Sequence, residues 1–212
     1  MKDIIIIGGG GHAKVLASVL KKHSEWNPIG YTDPKDSGPL LGLPYLGNDS
    51  IIKLLILEKN LQYAVIGIGQ IKNIESRKRI IQSFESTGLT LPTIISEYAI
   101  INEDVHIAKG SVIMDGVIIQ PGVRIGKYSI VNTGATIDHD CQIGDYVHIA
   151  PGVNLSGDVI VGNNVLIGTG ARVVQGIHIN SDVIIGAGSV VVKSILRSGT
   201  YIGVPARILS KD

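Results

Sequence analysis

One cysteine, one tryptophan, one phenylalanine and two methionines stand among 212 residues, and aromatic side chains make up only 4% of the chain. A lone thiol excludes a disulfide framework. No apolar run approaches the roughly 20 residues that a membrane-spanning helix needs, and no basic-then-apolar leader opens the sequence, so a cytoplasmic protein without membrane insertion is expected. Charge of either sign is also scarce. Nineteen Lys and Arg against eighteen Asp and Glu leave a net +1, which gives no electrostatic footprint for nucleic acid. His106 and His178 lack a neighbouring carboxylate cluster, so no metal is expected. The chain is instead rich in aliphatic residues, 44% hydrophobic overall, and in glycine, with 27. That is enough core material for a fold of short strands and tight corners.

The aliphatic residues are periodic. From Ile95 through Ile113, Val131, Ile149, Ile167 and Ile185 to Val191, every sixth residue is Ile, Val or Leu, and the series is unbroken. A second series four residues on is small or β-branched, including Ser111, Val117, Ser129, Ala135, Cys141, Val147 and Ala171. Neither a helix nor a hairpin has this period. One large and one small inward position per hexapeptide marks a parallel β-helix, whose stacked coils bury a continuous core. If three hexapeptides close a coil, residues eighteen apart stack on one wall. The column Val112, Ile130, His148, Leu166, Ile184 then reads as an exposed apolar stripe, and such stripes are usually interfaces. A prism with one such edge suits packing about a three-fold axis. His139 and His148, nine residues apart, point from opposite sides of one prism and would meet only across a subunit boundary.

Residues 1–92 have a different rhythm. Ile4–Ile7 reads as a strand, Gly8-Gly9-Gly10-Gly11 as a turn, and Ala13–His23 as a helix with Val15, Leu16, Val19 and Leu20 on one side. A second strand, Ile29–Tyr31, ends near Asp33, and Pro34–Gly47 reads as loop. A helix over Ser50–Lys59 capped by Asn48 or Asp49, a strand over Tyr63–Ile68, a helix over Ile74–Ser86 and a strand over Thr90–Ile94 complete a small parallel α/β domain, about half a dinucleotide fold. The repeat domain occupies 93–212 and ends in a closing strand over Thr200–Ile208. The spacing Gly8-x-Gly10-x-x-Ala13 with Asp33 beyond also fits a nicotinamide pattern, but one mononucleotide half is too little for a dinucleotide. Backbone N–H groups at a helix start serve a nucleotide sugar equally well.

Gly8-Gly9-Gly10-Gly11-His12-Ala13-Lys14-Val15 ahead of hexapeptides, Asp138-His139-Asp140-Cys141 with Ile143-Gly144-Asp145 and His148, and the ending Gly203-Val204-Pro205-Ala206 together resemble the hexapeptide-repeat acetyltransferases of the sialic-acid-biosynthesis type. These include bacterial nucleotide-linked 4-amino-sugar N-acetyltransferases. The resemblance implies a left-handed β-helix, a homotrimer and acetyl-CoA bound between subunits. It implies that His139 is the general base and Asp140 its partner, that His148 lies against the acetyl end of CoA, and that Thr169 and Ala187 contact the cofactor further along. In the first domain it implies that Gly10, Gly11, His12, Asp33 and Gly69 hold the nucleotide sugar.

The chemistry suits these residue types. Forming an amide from a thioester needs a neutral amine and an acceptor for its proton, and a histidine beside a carboxylate is matched to that task. Backbone N–H groups or His148 would meet the oxyanion. Cys141 falls on an inward position and reads as core filler, not as a nucleophile. Lys193, Arg197 and Arg207, near the last coil, are candidates for the CoA 3′-phosphate or for solvated charge. The expected activity is acetyl transfer to the amine of a UDP- or GDP-linked 4-amino sugar. O-acetylation of a sialic-acid-like sugar and a non-catalytic nucleotide sensor are the alternatives.

Overall fold

The computed structural model describes residues 1–69 and 74–209. They fall into two compact units, Met1–Glu97 and the part from Tyr98 onward, so the division comes a few residues past the end of the expected first domain. Among the described residues, no helix is long and apolar enough to cross a membrane.

The first unit is built on a parallel sheet in the order β3 (Tyr45–Gly47), β2 (Trp26–Thr32), β1 (Lys2–Ile7) and β4 (Tyr63–Ile66). Ile4 to Ile7 are at most 1% exposed, because a central parallel strand is covered on both faces and must be apolar on both. Helix α1 (Gly11–Lys22) follows the glycine turn and buries Ala13, Leu16, Ala17, Val19 and Leu20. Val15, expected on that face, is 41% exposed; the residues spaced three and four apart from Ala13 define the buried stripe, and Val15 lies off it. Asn48 begins the next helical stretch, its Oδ1 accepting from the Ser50 N–H at 3.0 Å. A 3-10 turn (Asp49–Ile51) then runs into α2 (Ile52–Lys59), and α3 (Ile74–Glu85) follows β4.

Three strand expectations need correction here. Tyr45–Gly47 is an edge strand, not loop, fixed by main-chain bonds such as Asp33 N–H to Gly47 O at 3.2 Å. β4 stops at Ile66, opposite Ile7 at the end of β1, and the Gly67 N–H still donates to Ile7 O at 2.7 Å. Thr90–Ile94 is not one strand: Thr90 makes a single bridge to Tyr63, and only Ile94–Ile95 is extended further on.

The second unit is the expected left-handed parallel β-helix. Its two-residue strands pair in register eighteen apart, Arg124 with Gln142, Gln142 with Ile160 and Ile160 with His178 on one wall. Thr136, Asn154 and Arg172 align on the second wall, and Ile130, His148 and Leu166 on the third. Ile113, Ile149, Ile167 and Ile185 are fully buried. Inward serines are satisfied by main chain: Ser111 Oγ donates to Gly126 O at 2.7 Å and Ser129 Oγ to Gly144 O at 3.0 Å. The corners take left-handed backbone at Tyr128, Asp140, Tyr146, Asp158, Asn164 and Asp182, positions where short polar residues are the ones that adapt most readily.

Two features of this unit differ from expectation. The third-wall stripe is not open along its length, because Val112, Ile130 and His148 are only 2%, 0% and 7% exposed within this chain; Leu166 is half-buried and Ile184 is 39% exposed. The closing strand is a hairpin: Gly199–Ile202 pairs in parallel with Val183–Ile185, and Arg207–Ile208 turns back antiparallel onto it. Gly203, at φ +95°, and Pro205 supply the turn that splits it.

Candidate active site

The dyad sits at a coil corner. The strand Thr136–Ile137 ends, the chain turns through Asp138, His139 and Asp140, and the next wall starts at Gln142. Asp138 Oδ1 accepts from the His139 N–H at 2.8 Å, and the Asp140 N–H donates to Pro121 O at 3.1 Å, which together fix the corner. Left-handed backbone at Asp140, φ +60°, turns its carboxylate toward the preceding ring. His139 Nδ1 lies 2.9 Å from Asp140 Oδ2. An ionised carboxylate only accepts, so Nδ1 carries the proton and Nε2 presents a lone pair. The imidazole is held above its ordinary pKa, first by this hydrogen bond and then by the negative charge of Asp138, Asp140 and Asp158. Both side chains are half or more exposed.

His148 is in a different setting. It is buried on the third wall, and Asn132 Nδ2 lies 3.4 Å from its Nε2. Asn132 Oδ1 is taken up by the Thr133 N–H at 2.8 Å, so the amide NH₂ faces the ring and His148 Nε2 is the acceptor of this long contact. His139 and His148 lie on different parts of the coil, and no hydrogen bond joins them among the described residues. Thr169 and Ala187 are exposed at one corner on successive coils, with the Gly188 N–H donating to Thr169 O at 2.8 Å. Cys141 is inert: its thiol is buried, donates to Ser156 O at 3.2 Å and is pushed up to about 11 by that burial.

An open groove of about 790 Å³ runs along the wall that follows the dyad corner, past His106, Arg124, Gln142 and Ile160. None of His139, Asp140, His148, Thr169 or Ala187 lines it. In a single chain the dyad corner is open to solvent, with the His139 and Asp140 side chains 50% and 68% exposed. Among the described residues, no group of three or more His, Cys, Asp or Glu is placed to hold a metal.

The glycine turn forms a second site in the first unit. α1 starts at Gly11, and its N-cap Gly10 makes no side-chain cap hydrogen bond. Gly9 N–H donates to Asp33 Oδ2 at 2.8 Å, and Asp33 Oδ1 accepts from the Lys35 N–H at 3.0 Å. Gly9 is sterically required, since a β-carbon there would meet the Tyr31 ring at 2.6 Å. Gly10 and Gly11 face open space, with nothing within 4 Å of an added β-carbon. The space is a cavity of about 580 Å³ lined by Gly9, Gly10, Gly11, Lys14, Ser37 and Leu40, among others. His12 is half-buried with its Cβ beside Gly69, a β-carbon on which would lie 3.5 Å away. Neither His12, Gly69 nor Asp33 lines the cavity itself. Lys14 and Ser37 do, and sequence reasoning passed over both. Lys14 is one turn into the helix that follows the glycine turn, and that position was the available signal.

The residues matched by the family model for the PglD N-terminal domain are 3–84, and the bacterial transferase hexapeptide model matches 122–157. The chain is similar over its whole length to a histidine-to-asparagine variant of perosamine N-acetyltransferase from Caulobacter crescentus, solved in complex with CoA and GDP-perosamine. The two share 35% identity with a TM-score of 0.91, and the match covers 100% of this chain and 98% of that one. The acetyltransferase domain of PglB from Neisseria gonorrhoeae is 33% identical with a TM-score of 0.86, over 99% of this chain and 100% of that domain. WeeI from Acinetobacter baumannii is 27% identical with a TM-score of 0.84, over 99% and 100%. A search of curated proteins finds no match.

Proposed function

The chain belongs to the hexapeptide-repeat N-acetyltransferases that carry a PglD-type N-terminal domain, and from that membership we propose that it transfers acetyl from acetyl-CoA to the amine of a nucleotide-linked 4-amino sugar. The observation that carries the reading is the hydrogen-bonded His139–Asp140 pair, which leaves Nε2 unprotonated, in a chain that matches along its full length a protein solved with CoA and GDP-perosamine.

The sugar amine attacks the thioester carbonyl while His139 Nε2 takes its proton. The carbon–sulfur bond then breaks, and the CoA thiolate leaves and is reprotonated from the imidazolium, so the base ends as it began. Asp140 keeps the proton on Nδ1 throughout and stabilises the transient positive ring. No acyl-enzyme is needed, in keeping with the inert Cys141.

The acetyl donor runs past Thr169 and Ala187, which one stacked corner presents on successive coils. His148 lies at its acetyl end. Because both dyad side chains are half or more exposed in one chain, a homotrimer supplies the missing wall, with His148 of an adjoining chain facing the dyad. The nucleotide phosphates sit at Gly10 and Gly11 against the start of α1, in the cavity that Lys14 and Ser37 also line, and His12, Asp33 and Gly69 hold the nucleotide sugar from outside that cavity. The reaction draws on cytoplasmic acetyl-CoA.

Incubation with acetyl-CoA and a panel of UDP- and GDP-linked 4-amino sugars, read by mass spectrometry, tests this. One acetylated sugar is expected. A panel left wholly unmodified by folded protein counts against the activity.

A further inference from the structure

Both members of the dyad lie against glycine. Gly157 stands one coil on from His139, and a β-carbon built on it would lie 2.4 Å from Nε2, 2.5 Å from Cε1 and 3.0 Å from Cδ2. Gly122 would bring a β-carbon to 2.7 Å from Asp140 Oδ1. The two glycines differ in one respect. Gly122 has φ +77°, so its backbone alone favours glycine. Gly157 is outside the left-handed region, and any residue could adopt its conformation. Its lack of a side chain answers to space. Gly157 is also buried while its neighbour Asp158 is exposed, as expected if the imidazole lies over it.

We propose that Gly157 is a positioning residue: its bare backbone is the seat on which the His139 ring lies, and any side chain there lifts the ring away from Asp140. The proposal rests on reading His139 as the base. Carbon atoms in ordinary contact stand about 3.5–4.0 Å apart, so an alanine methyl at 2.4 Å forces something to move. The ring is the end of a half-exposed side chain, whereas Gly157 is held in the ladder by its carbonyl, which accepts from the Gly176 N–H at 3.0 Å. The ring therefore gives way. Swinging it off the seat breaks the Nδ1–Asp140 bond, and with it both the fixed tautomer and the aim of Nε2.

The test is Gly157→Ala, alone and in a His139→Ala background, in the full chain. The His139 ring is titrated by NMR, which needs no substrate, and turnover is followed with acetyl-CoA and GDP-perosamine or the best sugar of the panel. The single variant should titrate closer to an ordinary histidine and lose about 10- to 100-fold in kcat, with both KM values little changed. In the His139→Ala background the added methyl should cost nothing more, since the ring that it displaces is gone. A wild-type titration in Gly157→Ala, or a full further loss on top of His139→Ala, overturns the proposal. Should Gly157→Ala fail to fold, folding of the double variant would still identify the ring as the obstacle, and failure of both would overturn the proposal. His139→Ala with wild-type kcat would instead sink the base assignment, and the titration would still decide the seat.

Discussion

At the scale of single residues, the account depends on one proton. His139 Nε2 can accept it only while Asp140 keeps the other nitrogen protonated, and a base held above its ordinary pKa must lose its own proton before it works. The acidic limb of kcat/KM is thus expected above the usual histidine value of about 6.5. Asp140→Asn removes the largest cause of the upward shift, so the limb should move to lower pH while the maximal rate falls. A pH–rate profile of the two proteins checks this, and an unmoved limb would detach Asp140 from the base. The dyad was legible because adjacent His and Asp on a hexapeptide corner resemble a known catalytic stretch. The reach of an aspartate was not legible. It depends on φ +60° at Asp140, which turns the short side chain back onto the ring. Asn132 and Gly157 were invisible for a similar reason: coil stacking brings Gly157 to His139 from eighteen residues away and Asn132 to His148 from sixteen.

At the scale of elements, the two periodicities carried most of the fold. Strict six-residue spacing forces the pairing of Ile130 with His148 and of Gln142 with Ile160, because only that register keeps every large inward residue inside. The places where reading by pattern failed lack such a constraint. Tyr45–Gly47 is an edge strand held by main-chain bonds that leave no apolar alternation, and the hairpin from Gly199 to Ile208 follows from a turn at Gly203 and Pro205. The burial of Ile130 could not be read from the repeat, which fixes only which side of the wall a residue faces. Ser129 gives the β-helix a stability test. Its Oγ accepts from the Val147 N–H at 3.0 Å besides donating to Gly144 O. Ser129→Ala leaves a buried donor and acceptor unpaired, and denaturant unfolding should show a loss of about 1–3 kcal/mol; an unchanged midpoint would mean that other partners replace it. At the other site, the start of α1 faces open space at Gly11, so Gly11→Val should fold normally yet occupy the place proposed for the phosphates. Its sugar KM should rise about tenfold or more, as loss of one or two anchoring hydrogen bonds implies, with the acetyl-CoA KM unmoved. Equal losses for both substrates would remove the sugar from that loop.

At the scale of the whole molecule, the proposed homotrimer rests on the openness of the dyad corner in one chain, where both side chains are half or more exposed. On the third wall Ile184, 39% exposed, and the half-buried Leu166 remain available for that contact, whereas Ile130 does not. Leu166→Asp with Ile184→Asp should therefore give monomers by light scattering, since charges desolvated at an interface are costly; a trimeric mass would move the interface elsewhere. If His139 and His148 serve one site across the boundary, mixing inactive His139→Ala and His148→Ala chains should restore part of the activity. Mixed trimers without activity would place both residues in one chain. The most direct test is the rate at which the protein forms an N-acetylated nucleotide sugar from acetyl-CoA, compared with that of His139→Ala under saturating substrates. The wild-type chain should turn over, and the variant should be slower by about 10²–10⁴-fold, the usual worth of a positioned general base, with acetyl-CoA binding retained. Equal rates for the two proteins, or loss of acetyl-CoA binding with the histidine, would contradict the account.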